Sequence, residues 1–224
     1  MSTVMIVGAT RGIGLEMVRQ YAADGDIVIA CARDTGAATL LDEVAAGIES
    51  VTIEQLDIAD PASIDAAAER IGDGAIDKVV IVAGVAGGNQ QTLDDLDIEA
   101  WHDTLNANTI GPALVARAFK RNLIASGNGS LMIISSQVGA STWPLGGMYI
   151  YSTTKAAVNR VGKILSIDWK DEPITVSIMH PGWVQTDMGG AQAELTVEES
   201  ASGIRTVLSG LTKKDSGNFY KWNG

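Results

Sequence analysis

Short runs of consecutive apolar residues alternate along this chain with longer stretches of helical periodicity. Several runs are apolar at successive rather than alternate positions, which suits parallel strands covered on both faces. A regular alternation of this kind predicts an α/β fold, an open doubly wound parallel sheet of about seven strands with helices on both faces. The predicted strands are residues 4–7, 27–31, 51–56, 78–82, 130–135, 175–179 and 218–220, and the predicted helices are residues 13–23, 37–47, 62–71, 98–125 and 151–170.

The composition fits one soluble domain. The 224 residues, 46% of them hydrophobic, can bury one substantial core, and no repeat or linker marks a second domain. The net charge of −11 and the absence of a Lys/Arg run longer than two residues argue against nucleic acid as a partner. A single cysteine, Cys31, excludes an internal disulfide, and the apolar run at 4–7 is too short for a signal or membrane segment. We therefore expect no membrane partner and a cytoplasmic location.

A glycine-rich segment follows the first predicted strand. Residues 8–14 read GATRGIG, and a helix is predicted to begin within them. Glycines allow a tight turn and close approach of the backbone to a pyrophosphate, whose charge is favoured at a helix N-terminus. The spacing differs from the G-x-G-x-x-G fingerprint of dinucleotide-binding folds, so the match rests on mechanism. The alternative is a glycine turn that serves packing alone.

Tyr151 and Lys155 are spaced to share one face of a helix. A four-residue step places the phenol and the ammonium one turn apart. A cation about 4 Å away at an effective dielectric of about 20 is worth roughly 4 kcal/mol, or about three pK units, so we expect Lys155 to lower the pKa of the phenol. Tyr149 lies about 120° away around the helix and serves as a control. Tyr151 is therefore the predicted acid–base group.

These segments occur in the order seen in a known family. The turn at 8–14, the sequence NTIG at 108–111, Ser136, the pair of Tyr151 with Lys155, and the dipeptide at 181–182 resemble the short-chain dehydrogenases/reductases over nearly the whole chain. Within that family, GMY at 147–149 and HPGWVQTDMGG at 180–190 look like the sniffer-type carbonyl reductases and C-factor-like proteins. The resemblance implies one Rossmann-type domain over residues 1–224, with cofactor binding mainly in 1–110 and catalytic and substrate elements mainly in 108–200.

The resemblance implies specific catalytic roles. Tyr151 would donate a proton in reduction and accept it in oxidation, and Lys155 would lower the tyrosine pKa and hydrogen-bond the nicotinamide ribose. Ser136 would donate to the substrate oxygen. Asn108 would hold a water that links Lys155 to solvent. Taken singly, each has a structural alternative, such as a turn serine, a helix-kinking asparagine or a solvated Tyr/Lys face.

The end of the second predicted strand bears on cofactor choice. By comparison with the family, Ala32 stands where enzymes that prefer NAD carry an acid. Arg33 follows, and Arg11 can reach the same region, so NADP(H) is favoured while NAD(H) is possible. Asp34 can accept from the ribose or cap the next helix. The implied cofactor contacts are Gly8, Thr10, Arg11, Gly12, Ile13, Gly14, Arg33, Asp57, Ile58, Ala83, Gly84, Tyr151, Lys155, Pro181, Gly182, Val184 and Thr186.

One segment departs from the family pattern. The family usually has two asparagines before Ala-Gly after the fourth strand, and this chain has Ile81 and Val82 there. The hydrogen bonds of those asparagine side chains are lost. Because apolar residues fit a buried parallel strand and Ala83-Gly84 still permits close approach, we expect the change to be tolerated.

The predicted substrate pocket is apolar and open. Its walls are expected in the segments 137–150 and 183–195, and the short stretch before the helix signal at 196–199 predicts a short lid that admits aromatic or aliphatic carbonyl compounds. His180 is interpreted as a satisfied structural histidine, and no metal-ligand pattern is present. The predicted pocket residues are Ser136, Val138, Trp143, Met148, Tyr151, Trp183 and Met188.

These features predict an NADP(H)-dependent oxidoreductase that reduces aldehydes or ketones, or oxidises the alcohols, with a small-molecule substrate. A C-factor-like signalling or regulatory protein with little turnover is the alternative. Epimerase or dehydratase chemistry with tightly held NAD is disfavoured by Arg33. Relatives pair through the helices predicted at 98–125 and 151–170, so the resemblance implies a homodimer or homotetramer.

Overall fold

The computed structural model describes residues 1–224 and contains one sheet of seven parallel strands. The sheet order is 3-2-1-4-5-6-7 in strand number, which confirms the predicted doubly wound Rossmann-type fold. Strands β1 to β7 are Thr3–Val7, Ile27–Ala32, Val51–Gln55, Lys78–Ile81, Gly129–Ile134, Ile174–His180 and Phe219–Lys221. Helices α1 to α8 are Gly12–Ala23, Thr39–Ala45, Pro61–Ile71, Ile98–Leu105, Gly111–Ala118, Lys120–Ala125, Tyr149–Asp168 and Val197–Gly210.

The sheet is buried on both faces, which explains the continuous apolar runs in the sequence. Along β1, Val4 and Ile6 enter the core on one face, whereas Met5 and Val7 enter the core on the other. All four side chains are at most 1% exposed. Because successive strand residues point to opposite faces, a strand between two layers of helices must be apolar at every position. None of the helices combines the length and apolar character that a membrane span needs.

The order of the strands reverses between β1 and β4, and a crevice is expected at the carboxyl ends of these strands. Here the backbone amides of Val82 and Ala83 both donate to the carbonyl of Val7, at 2.9 and 2.8 Å. A Cβ added to Gly8 would lie 2.6 Å from the Ala83 nitrogen. The Ile81-Val82 departure therefore leaves a closely packed junction, because backbone hydrogen bonds hold the segment.

The helix predicted at 98–125 begins and ends where expected, but a π turn and Phe119 divide it into three α-helical pieces. A π-helical turn, Asn106–Ile110, separates α4 from α5, and Phe119 interrupts the path between α5 and α6. Pro112 explains the first break, because it has no backbone N–H for the bond to the carbonyl four residues earlier. The π turn carries Asn108. Turns of this type often occur at functional sites.

Other helix boundaries differ by less. The predicted helix 37–47 is a short 3₁₀ turn, Thr35–Ala37, followed by α2. Asp34 caps that turn by accepting from the Gly36 amide at 3.0 Å, which favours the capping interpretation over a ribose contact. Helix α7 begins two residues earlier than predicted. Helix α8 begins at the predicted helix signal, where Thr196 and Glu199 form a capping box.

Candidate active site

Tyr151 and Lys155 lie together on the first turns of α7. Lys155 is 4% exposed, and its Nζ lies 5.6 Å from the centroid of the Tyr151 ring. Nζ donates a hydrogen bond to the carbonyl of Ile134 at 3.1 Å, which ties the ammonium to the carboxyl end of β5. Burial lowers the pKa of Lys155 to about 8. The helical spacing thus brings the phenol and the ammonium to the same place, as the sequence predicts.

The expected direction of the Tyr151 pKa shift is wrong. Burial raises the pKa of the phenol above its usual value, and the neighbouring Ser136 hydroxyl opposes this effect only in part. The favourable charge that the sequence argument assigned to Lys155 does not outweigh the desolvation of the phenol. Tyr151 is therefore a protonated phenol at neutral pH. The raised pKa keeps the proton on the phenol but makes the phenol a weaker acid.

Ser136 follows β5 and faces the same region. Its side chain caps a short 3₁₀ turn, Gln137–Gly139, by accepting from the Val138 amide at 3.3 Å. Gly139 in that turn lies directly on α7, since an added Cβ would be 2.6 Å from the Lys155 carbonyl carbon. Only glycine permits this contact. The turn therefore fixes the distance between Ser136 and the helix that carries Tyr151.

Asn108 is 1% exposed in the π turn, and its side chain is fully engaged. Its Oδ1 accepts from the Val85 amide at 2.9 Å, and its Nδ2 donates to the Val85 carbonyl at 2.8 Å. Nδ2 also donates to Thr154 Oγ1 at 3.1 Å. A Cβ on Gly84 would lie 3.1 Å from Asn108 Oδ1 and 3.4 Å from Lys155 Nζ. Asn108 thus joins the segment after β4 to α7; its predicted role in holding a water remains a prediction.

The glycine turn leads into the N-terminus of α1. Gly12 is the first residue of the helix and has φ +53, and a Cβ on Gly14 would lie 2.0 Å from the Gly8 carbonyl oxygen. Arg11 precedes the helix but provides no side-chain cap, and the first turn carries no acidic residue. The first amides of a helix have no partner within the helix. The turn therefore presents free donors and a positive dipole end at the crevice.

The two arginines expected to bind a 2′-phosphate have different surroundings. Arg11 pairs with Asp187 at 3.1 Å across the crevice, and both side chains are at least 74% exposed. Arg33 is exposed just beyond β2 and makes no ion pair within the chain. Asp57 Oδ1 accepts from the Ala59 amide at 2.9 Å, as a turn carboxylate does, and Ile58 is buried.

The segment after β6 is a compact turn rather than an extended lid. Gly182 has φ +88, and the Trp183 ring donates to the Gly189 carbonyl at 2.8 Å. Thr186 contacts the glycine turn, since a Cβ on Gly12 would lie 3.1 Å from its Cγ2. Met148, Trp183 and Met188 are 45–51% exposed. The pocket that they are expected to form with Ser136, Val138, Trp143 and Tyr151 remains a prediction.

Comparison with known proteins decides the family. The model of the family described as short chain dehydrogenase matches residues 2–195. This chain belongs to the short-chain dehydrogenases. It is 34% identical over 232 residues to 1-hydroxy-2-glutathionyl-2-methyl-3-butene dehydrogenase of Rhodococcus sp. (strain AD45), covering 100% of this chain and 98% of the relative. It is 33% identical over 158 residues to C-signal of Myxococcus xanthus, covering 70% of this chain and 95% of the relative.

Solved structures show the same relationship. Carbonyl reductase Sniffer of D. melanogaster has a TM-score of 0.92 at 27% identity, covering 100% of this chain and 98% of that chain. An NADPH-bound carbonyl reductase from chicken fatty liver has a TM-score of 0.91 at 32% identity, covering 100% and 92%. The resemblance of this short-chain dehydrogenase to sniffer-type reductases and C-factor-like proteins is thus confirmed.

His180 of this short-chain dehydrogenase is buried at the end of β6, but it is not satisfied as expected. It is 7% exposed, and its Nδ1 has no hydrogen-bond partner. Burial, with a smaller contribution from Lys221, lowers its pKa to about 4. This is a structural histidine held in its neutral form.

The His180 pKa predicts a pH dependence of stability. Because a histidine in the unfolded chain has a pKa of about 6.5, the unfolded state binds a proton first as the pH falls. Stability from neutral His180 is therefore present above pH 6.5 and is lost as the pH falls towards 4. Urea unfolding of wild type and His180→Gln at neutral and acidic pH should show a smaller loss in the variant. An exposed control, His102→Gln, should behave as wild type; equal pH dependence in all three proteins would contradict the prediction.

Sequence reasoning missed Gln91. Its side chain accepts from the backbone amide of Tyr151 at 3.0 Å, so it contacts the helix that carries the acid–base pair. The sequence offered one indirect indication of this contact, which is that Met148, just before α7, is not one of the residues that cap helices. Because α7 has no local cap, its first backbone amides need hydrogen-bond acceptors from elsewhere in the chain.

Proposed function

We propose that this short-chain dehydrogenase is an NADP(H)-dependent oxidoreductase that reduces aldehyde or ketone carbonyls, or oxidises the corresponding alcohols. The main supporting observation is that Tyr151 lies beside buried Lys155 and Ser136, and that Lys155 Nζ contacts the carboxyl end of β5. The names of the relatives support it, since they include a dehydrogenase and carbonyl reductases, one of them NADPH-bound.

Tyr151, Lys155 and Ser136 have separate roles in the proposed reaction. The bound nicotinamide supplies or accepts the hydride. Tyr151 donates its proton to the substrate oxygen in reduction, and burial keeps this phenol protonated at neutral pH. Lys155 supplies positive charge that favours the phenolate once the proton has left, and Ser136 donates a hydrogen bond to the same oxygen.

The crevice fits a dinucleotide. The uncapped N-terminus of α1 offers free amides to a pyrophosphate, and Gly84 leaves space next to Lys155 Nζ that a Cβ would fill. We assign cofactor binding mainly to residues 1–110 and catalytic and substrate elements mainly to residues 108–200. Within the first part, Thr10, Ile13, Asp57 and Ile58 are proposed contacts, and Pro181 and Val184 extend them from the second part.

Arg33 is proposed as the anchor for the 2′-phosphate. Arg33→Ala should weaken NADPH binding by about 2 kcal/mol, because a hydrogen-bonded contact between charges is lost. That loss corresponds to about 30-fold in dissociation constant. NADH lacks the phosphate, so its affinity should be nearly unchanged. Fluorescence titration of both cofactors measures the two effects directly.

An arginine distant from β2 provides the control for this titration. Arg121 on α6 is exposed and makes no ion pair, so Arg121→Ala removes the same charge without touching the end of β2. It should leave both affinities unchanged. Equal losses of NADPH and NADH affinity in Arg33→Ala would show that Arg33 does not contact the phosphate.

The second candidate is a regulatory cofactor-binding protein with little turnover, favoured by the likeness to C-signal over 70% of the chain. A panel of small aldehydes and ketones with NADPH, followed at the nicotinamide absorbance, separates the two. Turnover that depends on Tyr151 supports the reductase. Tight NADPH binding with no turnover of any compound in the panel favours the regulatory protein.

We further propose a homodimer or homotetramer formed through α4, α5 and α7. Ile110 beside α5, with Ile164 and Ile167 on α7, is 41–52% exposed despite being strongly apolar. Exposed apolar side chains on neighbouring helices are typical of subunit contacts. Light scattering of the purified protein tests this, and a monomer at micromolar concentration would contradict it.

A further inference from the structure

The helix that carries the acid–base pair has no cap of its own. Met148 precedes α7 in the left-handed region, with φ 53, and offers no side-chain hydrogen bond to the helix. The first bond along the helix runs from the Ser152 amide to the Met148 carbonyl at 2.8 Å. The amides of the three preceding residues therefore need partners from outside the helix. Tyr151 is one of those three.

Gln91, in the segment between β4 and α4, supplies two of the missing partners. Its Oε1 accepts from the Tyr151 amide at 3.0 Å, and its backbone carbonyl accepts from the Tyr149 amide at 3.3 Å. Its Nε2 donates to the carbonyls of Ala86 at 2.7 Å and Gly88 at 2.8 Å. One side-chain amide thus joins the first turn of α7 to the chain that follows Gly84.

Further contacts make this connection into a closed ring. Asn108 holds Val85 by two hydrogen bonds and also donates to Thr154 Oγ1 at 3.1 Å. Thr154 Oγ1 in turn donates to the Tyr151 carbonyl at 2.9 Å. The amide and the carbonyl of Tyr151 are therefore both tied, through Gln91 and through Asn108, to the segment 85–88.

We propose that Gln91 is a positioning residue for Tyr151. Gln91 caps α7 from the segment after β4 and thereby holds the phenol at the crevice. This inference rests on the proposed reductase function. Gln91 acts through the backbone of Tyr151. A displacement of about 1 Å in a reacting group can cost about a hundredfold in rate, so the cap affects turnover more than cofactor binding.

Two substitutions separate capping from general damage. Gln91→Met keeps the length of the side chain but removes both hydrogen-bonding functions, whereas Gln91→Glu keeps the acceptor for the Tyr151 amide and removes the donor to the loop. Gln90→Met is the matched control, because Gln90 is exposed and its side chain makes no hydrogen bond. For each protein, kcat and KM for carbonyl reduction, the NADPH dissociation constant and amide hydrogen exchange at Tyr151 are measured.

In Gln91→Met, kcat is expected to fall by about tenfold to a hundredfold while the NADPH dissociation constant changes by less than about threefold. Exchange at the Tyr151 amide should become faster. In Gln91→Glu, exchange and kcat should lie between those of Gln91→Met and the wild type, because one oxygen still accepts from the Tyr151 amide whereas the other faces the Ala86 and Gly88 carbonyls. Gln90→Met should match the wild type in every measurement.

A Gln91→Met protein with the kcat of the Gln90→Met control would overturn the proposal. So would a fall in kcat accompanied by an equal loss of NADPH affinity, since that indicates general unfolding. If Gln91→Met does not fold, exchange of the Tyr151 amide in the wild-type protein as fast as that of an unprotected amide contradicts the cap. A wild-type protein without turnover would contradict the reductase function instead, and the exchange measurement would still decide the role of Gln91.

Discussion

Tyr151→Phe is expected to lower kcat for carbonyl reduction by about a thousandfold, the range typical of a lost general acid. The substitution removes one hydroxyl and leaves the ring beside Lys155, so the packing of α7 is retained. NADPH affinity should change little, because the crevice formed by the glycine turn is untouched. Steady-state kinetics with NADPH, combined with a cofactor titration, measures both quantities.

Tyr149→Phe is the control for this substitution. Tyr149 lies on the same first turn of α7, is 38% exposed and is rotated by about 120° from the face that carries Lys155. Its variant should have a kcat near that of the wild type. A Tyr149→Phe protein as damaged as Tyr151→Phe would refute the rotational argument, and an active Tyr151→Phe protein would exclude the proton role of Tyr151.

Gly14→Ala is expected to destabilise the protein by about 3 kcal/mol, at the upper end of the usual cost of overpacking. The added Cβ would lie 2.0 Å from the Gly8 carbonyl oxygen, and backbone on both sides leaves no flexible group to yield. The glycine turn would have to move away from α1, which also displaces the free amides proposed to bind the pyrophosphate. Urea unfolding and NADPH titration should therefore both show a loss.

Gly74→Ala makes the same chemical change where there is space. Gly74 is exposed, its φ lies outside the left-handed region, and an added Cβ there would contact nothing within 4 Å. Its free energy of unfolding should stay within about 0.5 kcal/mol of wild type. A Gly14→Ala protein as stable as Gly74→Ala would show that the turn can relax without cost.

Most of the fold followed from the sequence because a sheet covered on both faces requires apolar residues at successive positions. The runs at 4–7 and 78–82 lie within one residue of β1 and β4. The interruptions within 98–125 were not predicted, because helical periodicity continues through Pro112. Periodicity reports which residues face the core, whereas the π turn depends on one missing amide.

The site was predictable in its residue types but not in its electrostatics. The four-residue step from Tyr151 to Lys155 fixed their common face, as observed. The sign of the tyrosine pKa shift is set by burial of the phenol, which is not visible in local spacing. Gln91 was hidden for a similar reason, because it lies 60 positions before its partner Tyr151.

The contact of Gly139 with α7 bears on how such a protein can diversify. The serine and the tyrosine are held in register by backbone packing at one glycine, upstream of the exposed stretch 140–148. That stretch is therefore not part of the contact that holds Ser136 near the helix of Tyr151. If it forms the pocket wall as proposed, its exchange would change selectivity while both reacting groups stay in place.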